Sequence, residues 1–206
     1  MKSAFNPTKI IAVGLNYIDH AKEVNMPIPD HPIIFLKPST SVIEDGDTIL
    51  YPPQTKELHY EGELAVIIKE KIKNVGKDEA RRFIAGYTCA NDVTARDIQR
   101  IDVQWTRSKS FDTFCPLGPR IVSDIDPKNL SIITRVNGSV KQSSNTNNMI
   151  FDVFDLVSFI SGVMTLLPGD VIITGTPPGI GAIEAGDLVE VEIEGIGVLK
   201  NSVAAP

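Results

Sequence analysis

The chain has 206 residues, 42% of them hydrophobic and 22% charged, an ordinary balance for a globular protein long enough to bury a core. A formal net charge of −6 and a pI near 5.1 argue against nucleic acid or an anionic membrane as partner, because both require clustered Lys and Arg. No basic start leads into an apolar run, and the greasiest stretch, residues 151–167, is interrupted by Asp152 and Asp155, so we expect a cytoplasmic protein with no membrane segment.

In chain order, "KIIAVGL" has the length of a buried strand, and "NYIDHAKEVNMPIP" reads as a short helix capped by Asn16 and ended by Pro27 and Pro29. "PIIFLKP" and "DTILYPP" are short strands fenced by prolines. "ELAVIIKE" is a further strand. "GKDEARRFIAGYTCANDV" is a short helix running into a strand that ends near Asp92. "TARDIQRI" is helical, with Thr94 as its expected cap. After it, "GPRIVS", "LSIITRVNGSVKQ", "GDVIITGTP" and "GDLVEVEIEGIGVLKNSV" are β-rich, and the Asn-Gly of "VNGSV" signals a tight hairpin. Only "FDVFDLVSFISGVMTL" is a long amphipathic helix. Strands outnumber helices without strict βαβ alternation, and no linker divides the chain. The expectation is one α+β, mainly β domain over residues 1–206.

The chemistry centres on "HYEGELAVII", residues 59–68. Strand alternation puts Glu61, Glu63, Ala65 and Ile67 on one face. The two carboxylates then stand about 7 Å apart and repel by roughly 2–3 kcal/mol at an effective dielectric of about 20. Spacing alone leaves open a solvated strand face or a pair of cation ligands. Asp92, closing the next strand, would make a third oxygen ligand of the kind that suits Mg2+ or Mn2+. His20 and Glu23 stand three apart on the first helix, either as an ordinary surface contact or as a base with its orienting carboxylate. Arg96, Gln99, Arg107 and Lys109 follow Asp92 and favour an anionic substrate. "TGTPPGIG" lacks the glycine spacing of a nucleotide loop, but the Thr176 hydroxyl and exposed backbone N–H groups there could hold a carboxylate. His31 and His59 are expected to be structural. Cys89 and Cys115 form neither a disulfide framework nor a zinc-ligand pair by spacing, and neither is assigned to catalysis.

Taken together and in order, "GLNYIDHAKE", "HYEGELAVII", "NDVTARDIQ", "KSFDTFCPLGP", "VNGSVKQ" and "TGTPPGIG" resemble the fumarylacetoacetate hydrolase family from about Ile10 to Val203. The resemblance implies a mixed β-roll, usually a homodimer, with Mg2+ or Mn2+ on Glu61, Glu63 and Asp92. It also implies a lid helix carrying His20 and Glu23, an active-site lysine at Lys109, and substrate-side groups at Arg96, Gln99 and Thr176. Leu15 stands where acylpyruvate hydrolases commonly have arginine, and Ser108 where glycine usually precedes the lysine. The implied activity is C–C hydrolysis of a small 2,4-dioxo acid of acylpyruvate type. Oxaloacetate decarboxylation, 2-hydroxyhepta-2,4-diene-1,7-dioate isomerisation and a non-catalytic metal-dependent binding module are the alternatives.

Overall fold

A computed structural model describes residues 5–23 and 25–205; Met1–Ala4, Val24 and Pro206, which the expected domain and lid segment include, lie outside the described residues. The chain runs β1 (Ile10–Val13), α1 (Ile18–Glu23), β2 (Ile34–Lys37), β3 (Val42–Glu44), β4 (Thr48–Leu50), β5 (Leu58–Tyr60), β6 (Gly62–Ile68) and β7 (Ile84–Asn91). It continues through β8 (Thr94–Ala95), α2 (Arg96–Ile101), α3 (Thr106–Lys109), β9 (Cys115–Val122), β10 (Ser131–Val136), β11 (Ser139–Asn145) and α4 (Val153–Val163). It ends with β12 (Val171–Ile173), β13 (Gly181–Ile183), β14 (Leu188–Ile193) and β15 (Gly197–Ala204). The α+β, mainly β expectation holds.

The strands form two mixed sheets, β2-β1-β12-β6-β7-β9-β3 and β11-β10-β14-β15-β4, and one antiparallel sheet, β13-β5-β8. Alternation along β6 divides the core. Leu64, Val66 and Ile68 join α4 residues Leu156, Val157 and Ile160 and the second-sheet residues Ile132 and Val191 in one cluster. Ala65 and Ile67 face the other way, onto Ile10, Ala12, Ala90, Cys115 and Leu117. β6 is therefore buried on both faces, and each face is specified by its own set of apolar side chains.

Two expected caps do other work. Asn16 does not cap α1; its amide nitrogen donates to the carbonyls of Thr174 (2.7 Å) and Phe151 (3.1 Å), and its oxygen accepts from the Phe151 N–H (2.9 Å). It joins the segment before α1 to the segments before α4 and after β12. The helix stops at Glu23, before the prolines, and Asn25 takes the left-handed conformation (φ 52°) that commonly follows a helix end. Thr94 belongs to β8, and its hydroxyl donates to the Asp92 carbonyl instead of accepting an N–H from the first turn of α2. The segment expected to be helical before β7 is a 3-10 turn, Lys77–Phe83. The Asn-Gly hairpin joins β10 to β11 as expected, with both turn residues at positive φ.

Candidate active site

The register of β6 on β7 builds the centre. Gly62 pairs with Asn91 and Glu63 with Ala90, and the Asp92 N–H donates to the Glu61 carbonyl at 2.8 Å, so Asp92 lies opposite Glu61 with Glu63 diagonal to it. All three carboxylates are buried, and one oxygen from each lies within 4.8 Å of the others. A solvated strand face is excluded. The repulsion expected between Glu61 and Glu63 is offset by cationic side chains that converge on the cluster. Lys109, at the end of α3, donates to Glu61 Oε2 (2.8 Å) and Asp92 Oδ2 (2.6 Å). Arg96, opening α2, pairs with Glu61, and Lys37, closing β2, pairs with Asp92.

These charges act unequally. Burial opposes ionisation of Glu61, but Lys109 and Arg96 overcome it and hold the carboxyl well below its ordinary range. Glu63 has no ion pair among the described residues and accepts only the Gly175 N–H (2.6 Å); burial, then Asp92 and Glu61, push its carboxyl well above the ordinary range. Burial pulls Lys109 down, and Asp92 and Glu61 more than reverse this, leaving the ammonium above its usual value. A buried set of three carboxylates offers only hard oxygen donors, and one of them lacks a counter-charge. That composition fits a hard divalent cation.

The other expected residues gather on one cavity of about 260 Å³, lined by Leu15, His20, Met26, Phe35, Glu61, Arg96, Gln99, Arg100, Trp105, Lys109, Thr176 and Ile180 among others. His20 Nδ1 lies 2.7 Å from Glu23 Oε2, and the other Glu23 oxygen accepts the Gly179 N–H at 3.0 Å. Glu23 thus orients the imidazole and ties α1 to the turn after β12. Arg96 also donates to Gln99 Oε1, leaving the Gln99 amide nitrogen free of that bond. Arg107 pairs instead with Asp102 at the surface. Thr176 lines the cavity, but its hydroxyl donates to the Gly62 carbonyl (2.9 Å) and accepts from Gln142 (2.8 Å), so its role is to anchor the turn as much as to meet a ligand. His59 supports the site indirectly, accepting from Arg96 Nε (3.4 Å).

Sequence reasoning missed Lys37 and Gln142. Lys37 stands at a strand end before Pro38, where a lysine is usually exposed. Gln142 ends the stretch "VNGSVKQ", which carried the turn signal and part of the family resemblance but no role for this side chain. Trp105 was passed over too; its ring approaches Phe35 edge-on at 5.4 Å and helps wall the cavity.

The model of the fumarylacetoacetate hydrolase C-terminal family matches residues 9–204. The chain belongs to the fumarylacetoacetate hydrolase family. Among its relatives, the uncharacterised protein MJ1656 of Methanocaldococcus jannaschii is 65% identical over 96% of this chain and 83% of its own length. The human mitochondrial oxaloacetate tautomerase FAHD2B is 48% identical over 96% of this chain and 67% of its own. The crystal structure of 5-carboxymethyl-2-hydroxymuconate delta-isomerase from Mycobacterium smegmatis superposes with a TM-score of 0.93 at 50% identity, covering 98% of this chain and 80% of that one. Members of the fumarylacetoacetate hydrolase family are enzymes, with isomerase and tautomerase names among the relatives of this chain. Among the described residues no helix is long and apolar enough to cross a membrane, and the human relative is named as mitochondrial, so the cytoplasmic expectation gains no support from it.

Proposed function

We propose that the protein is a divalent-metal-dependent enzyme that moves a proton at C3 of a small 2-oxo acid, interconverting its keto and enol forms. The observation that carries this reading is the oriented His20–Glu23 pair on the same small cavity as Lys109 and the buried acidic triad. Glu61, Glu63 and Asp92 would hold the cation, Mg2+ or Mn2+ by their all-oxygen donor set. When bound, such an ion supplies Lewis-acid stabilisation of negative charge on the oxygens of an enolised 2-oxo acid.

The rest falls to the side chains. His20 takes the proton from C3 of the keto form and delivers it to the C2 oxygen to give the enol, and moves it the opposite way in ketonisation, with Glu23 fixing its ring through Nδ1 so that Nε2 does the transfer. Lys109 uses two of its three donors on Glu61 and Asp92; the third is available to a developing negative oxygen. The Gln99 amide nitrogen and the remaining N–H groups of Arg96 orient the substrate carboxylate. Leu15, Met26 and Trp105 give the cavity an apolar end, and its volume suits a compact acid.

The reactions for which the human tautomerase and the mycobacterial isomerase are named need only proton transfer, which favours tautomerisation over C–C hydrolysis. Hydrolysis of an acylpyruvate remains the second reading, because the same His20–Glu23 pair can take a proton from water. Enol-oxaloacetate, an acylpyruvate and a 2-hydroxydienedioate should be assayed with Mg2+ or Mn2+ and with EDTA, in the native protein and in His20→Ala. We expect metal-dependent ketonisation that falls by about 100-fold or more in His20→Ala. Full activity in EDTA, or in His20→Ala, would overturn the assignment.

A further inference from the structure

The hairpin β10–β11 supplies no group to the chemistry above, yet one of its side chains reaches the peptide between Glu61 and Glu63. Its Asn137-Gly138 turn sets the pairs Val136 with Ser139 and Arg135 with Val140; the register then slips, Thr134 pairing with Gln142 and leaving Lys141 as an extra residue. The bulge brings the Lys141 carbonyl against the turn after β12, so close that a Cβ on Gly179 would stand 2.2 Å from it. Next along the strand, Gln142 is turned inward and 1% exposed.

Its carboxamide makes three bonds. Oε1 accepts the Gly62 N–H at 3.0 Å, while Nε2 donates to Thr176 Oγ1 at 2.8 Å and to the Pro177 carbonyl at 2.7 Å. Gly62 is the residue between Glu61 and Glu63, and the Gly175 N–H in the same turn as Thr176 holds Glu63. Thr176 completes the loop by donating to the Gly62 carbonyl. There is no slack here: a Cβ on Gly62 would lie 2.1 Å from Thr134 Oγ1. One side chain therefore fixes the peptide that joins the two glutamates and the turn that holds one of them.

We propose that Gln142 is a positioning residue of this site: its carboxamide locks the Gly62 peptide to the 175–177 turn and thereby sets Glu61 and Glu63 in the arrangement that meets a divalent cation together with Asp92. The inference rests on the reading of Glu61, Glu63 and Asp92 as cation ligands. Gln142 touches none of the three carboxylates, so it acts through the backbone between and beside them.

Calorimetric titration of the full chain with Mg2+ and Mn2+ tests it, comparing the native protein with Gln142→Met and with Ser161→Ala, which removes an equally buried hydroxyl bonded to the Val75 N–H far from the cluster. Both variants should lose some thermal stability, but only Gln142→Met should lose about tenfold or more in cation affinity, and raising the cation concentration by the same factor should restore turnover. Gln142→Asn keeps the amide on a shorter arm and should fall in between; it decides the matter if Gln142→Met does not fold. Affinity within twofold of native in the folded variant, or an equal loss in Ser161→Ala, would overturn the positioning role while leaving the ligand set intact. No cation binding by the native protein would overturn both.

Discussion

Glu63 is the residue on which the electrostatics turn. Its carboxyl is held above the ordinary range, so the folded state keeps a proton that the unfolded chain releases first. By linkage, metal-free stability should fall as pH rises from the ordinary carboxylate range towards the folded value of Glu63. Glu63→Gln preserves an acceptor for the Gly175 N–H and removes the buried charge. We expect it to raise the melting temperature in EDTA at neutral pH, flatten that part of the pH profile and abolish stabilisation by Mg2+. A lower melting temperature in EDTA would contradict the assignment of an uncompensated charge. Lys37 makes the opposite case, because its removal strips a cation from buried Asp92. Lys37→Met should cost about 3–5 kcal/mol in metal-free denaturant unfolding, as is usual when one partner of a buried pair is lost. Added Mg2+ should recover part of that loss. Alternation, a local property, made the shared face of Glu61 and Glu63 legible, whereas Asp92 joins them only through the pairing of β6 with β7 and was expected there from the family resemblance. Lys37 was not legible, since only the pairing of β2 with β1 carries its side chain to Asp92.

At the scale of elements, patterns of burial survived folding better than caps did. The alternation of β6 and the apolar stripe of α4 depend on period alone, and both faces emerged as expected. Asn16 and Thr94 sit where caps are common, but distant partners in Phe151 and Thr174 claimed the polar atoms of Asn16, and the nearby Asp92 carbonyl took the Thr94 hydroxyl. Helix α4 does have a local cap: Asp152 accepts the N–H groups of Phe154 and Asp155, Asp155 returns a bond to Asp152, and Lys77 and Lys128 pair with Asp152 from outside. Partial burial works against the Asp152 carboxylate, but Lys128, the Asp155 N–H and Lys77 together bring it down to about 2. Its stabilisation is thus complete above the ordinary value of 3.8 and is lost as pH falls towards 2. Asp152→Ala should cost about 1 kcal/mol at neutral pH, and the difference from native should shrink in acid. A difference that grows below pH 3.8 would show that the cap is not what Asp152 contributes.

Across the whole molecule, the β-rich plan was legible from strand-length apolar runs and the absence of βαβ alternation. The division into three sheets was not, because it depends on non-local pairings such as β1 with β12 and β15 with β4. The site draws on all of these distant pieces, since β2, β6, β7, α1, α2, α3 and the turn after β12 each contribute a side chain or a backbone donor. A bound cation should therefore stabilise the fold globally, by about 2.7 kcal/mol at 100 times its dissociation constant. The homodimer expected from the family resemblance predicts a light-scattering mass near twice 22.4 kDa, and a monomer mass would count against it. The most direct test of the central claim is proton magnetic resonance of oxaloacetate in D2O with Mg2+. The account predicts enzyme-accelerated, stereospecific exchange of one C3 hydrogen, abolished by EDTA and by His20→Ala. Substrate consumption without any accelerated C3 exchange would contradict it.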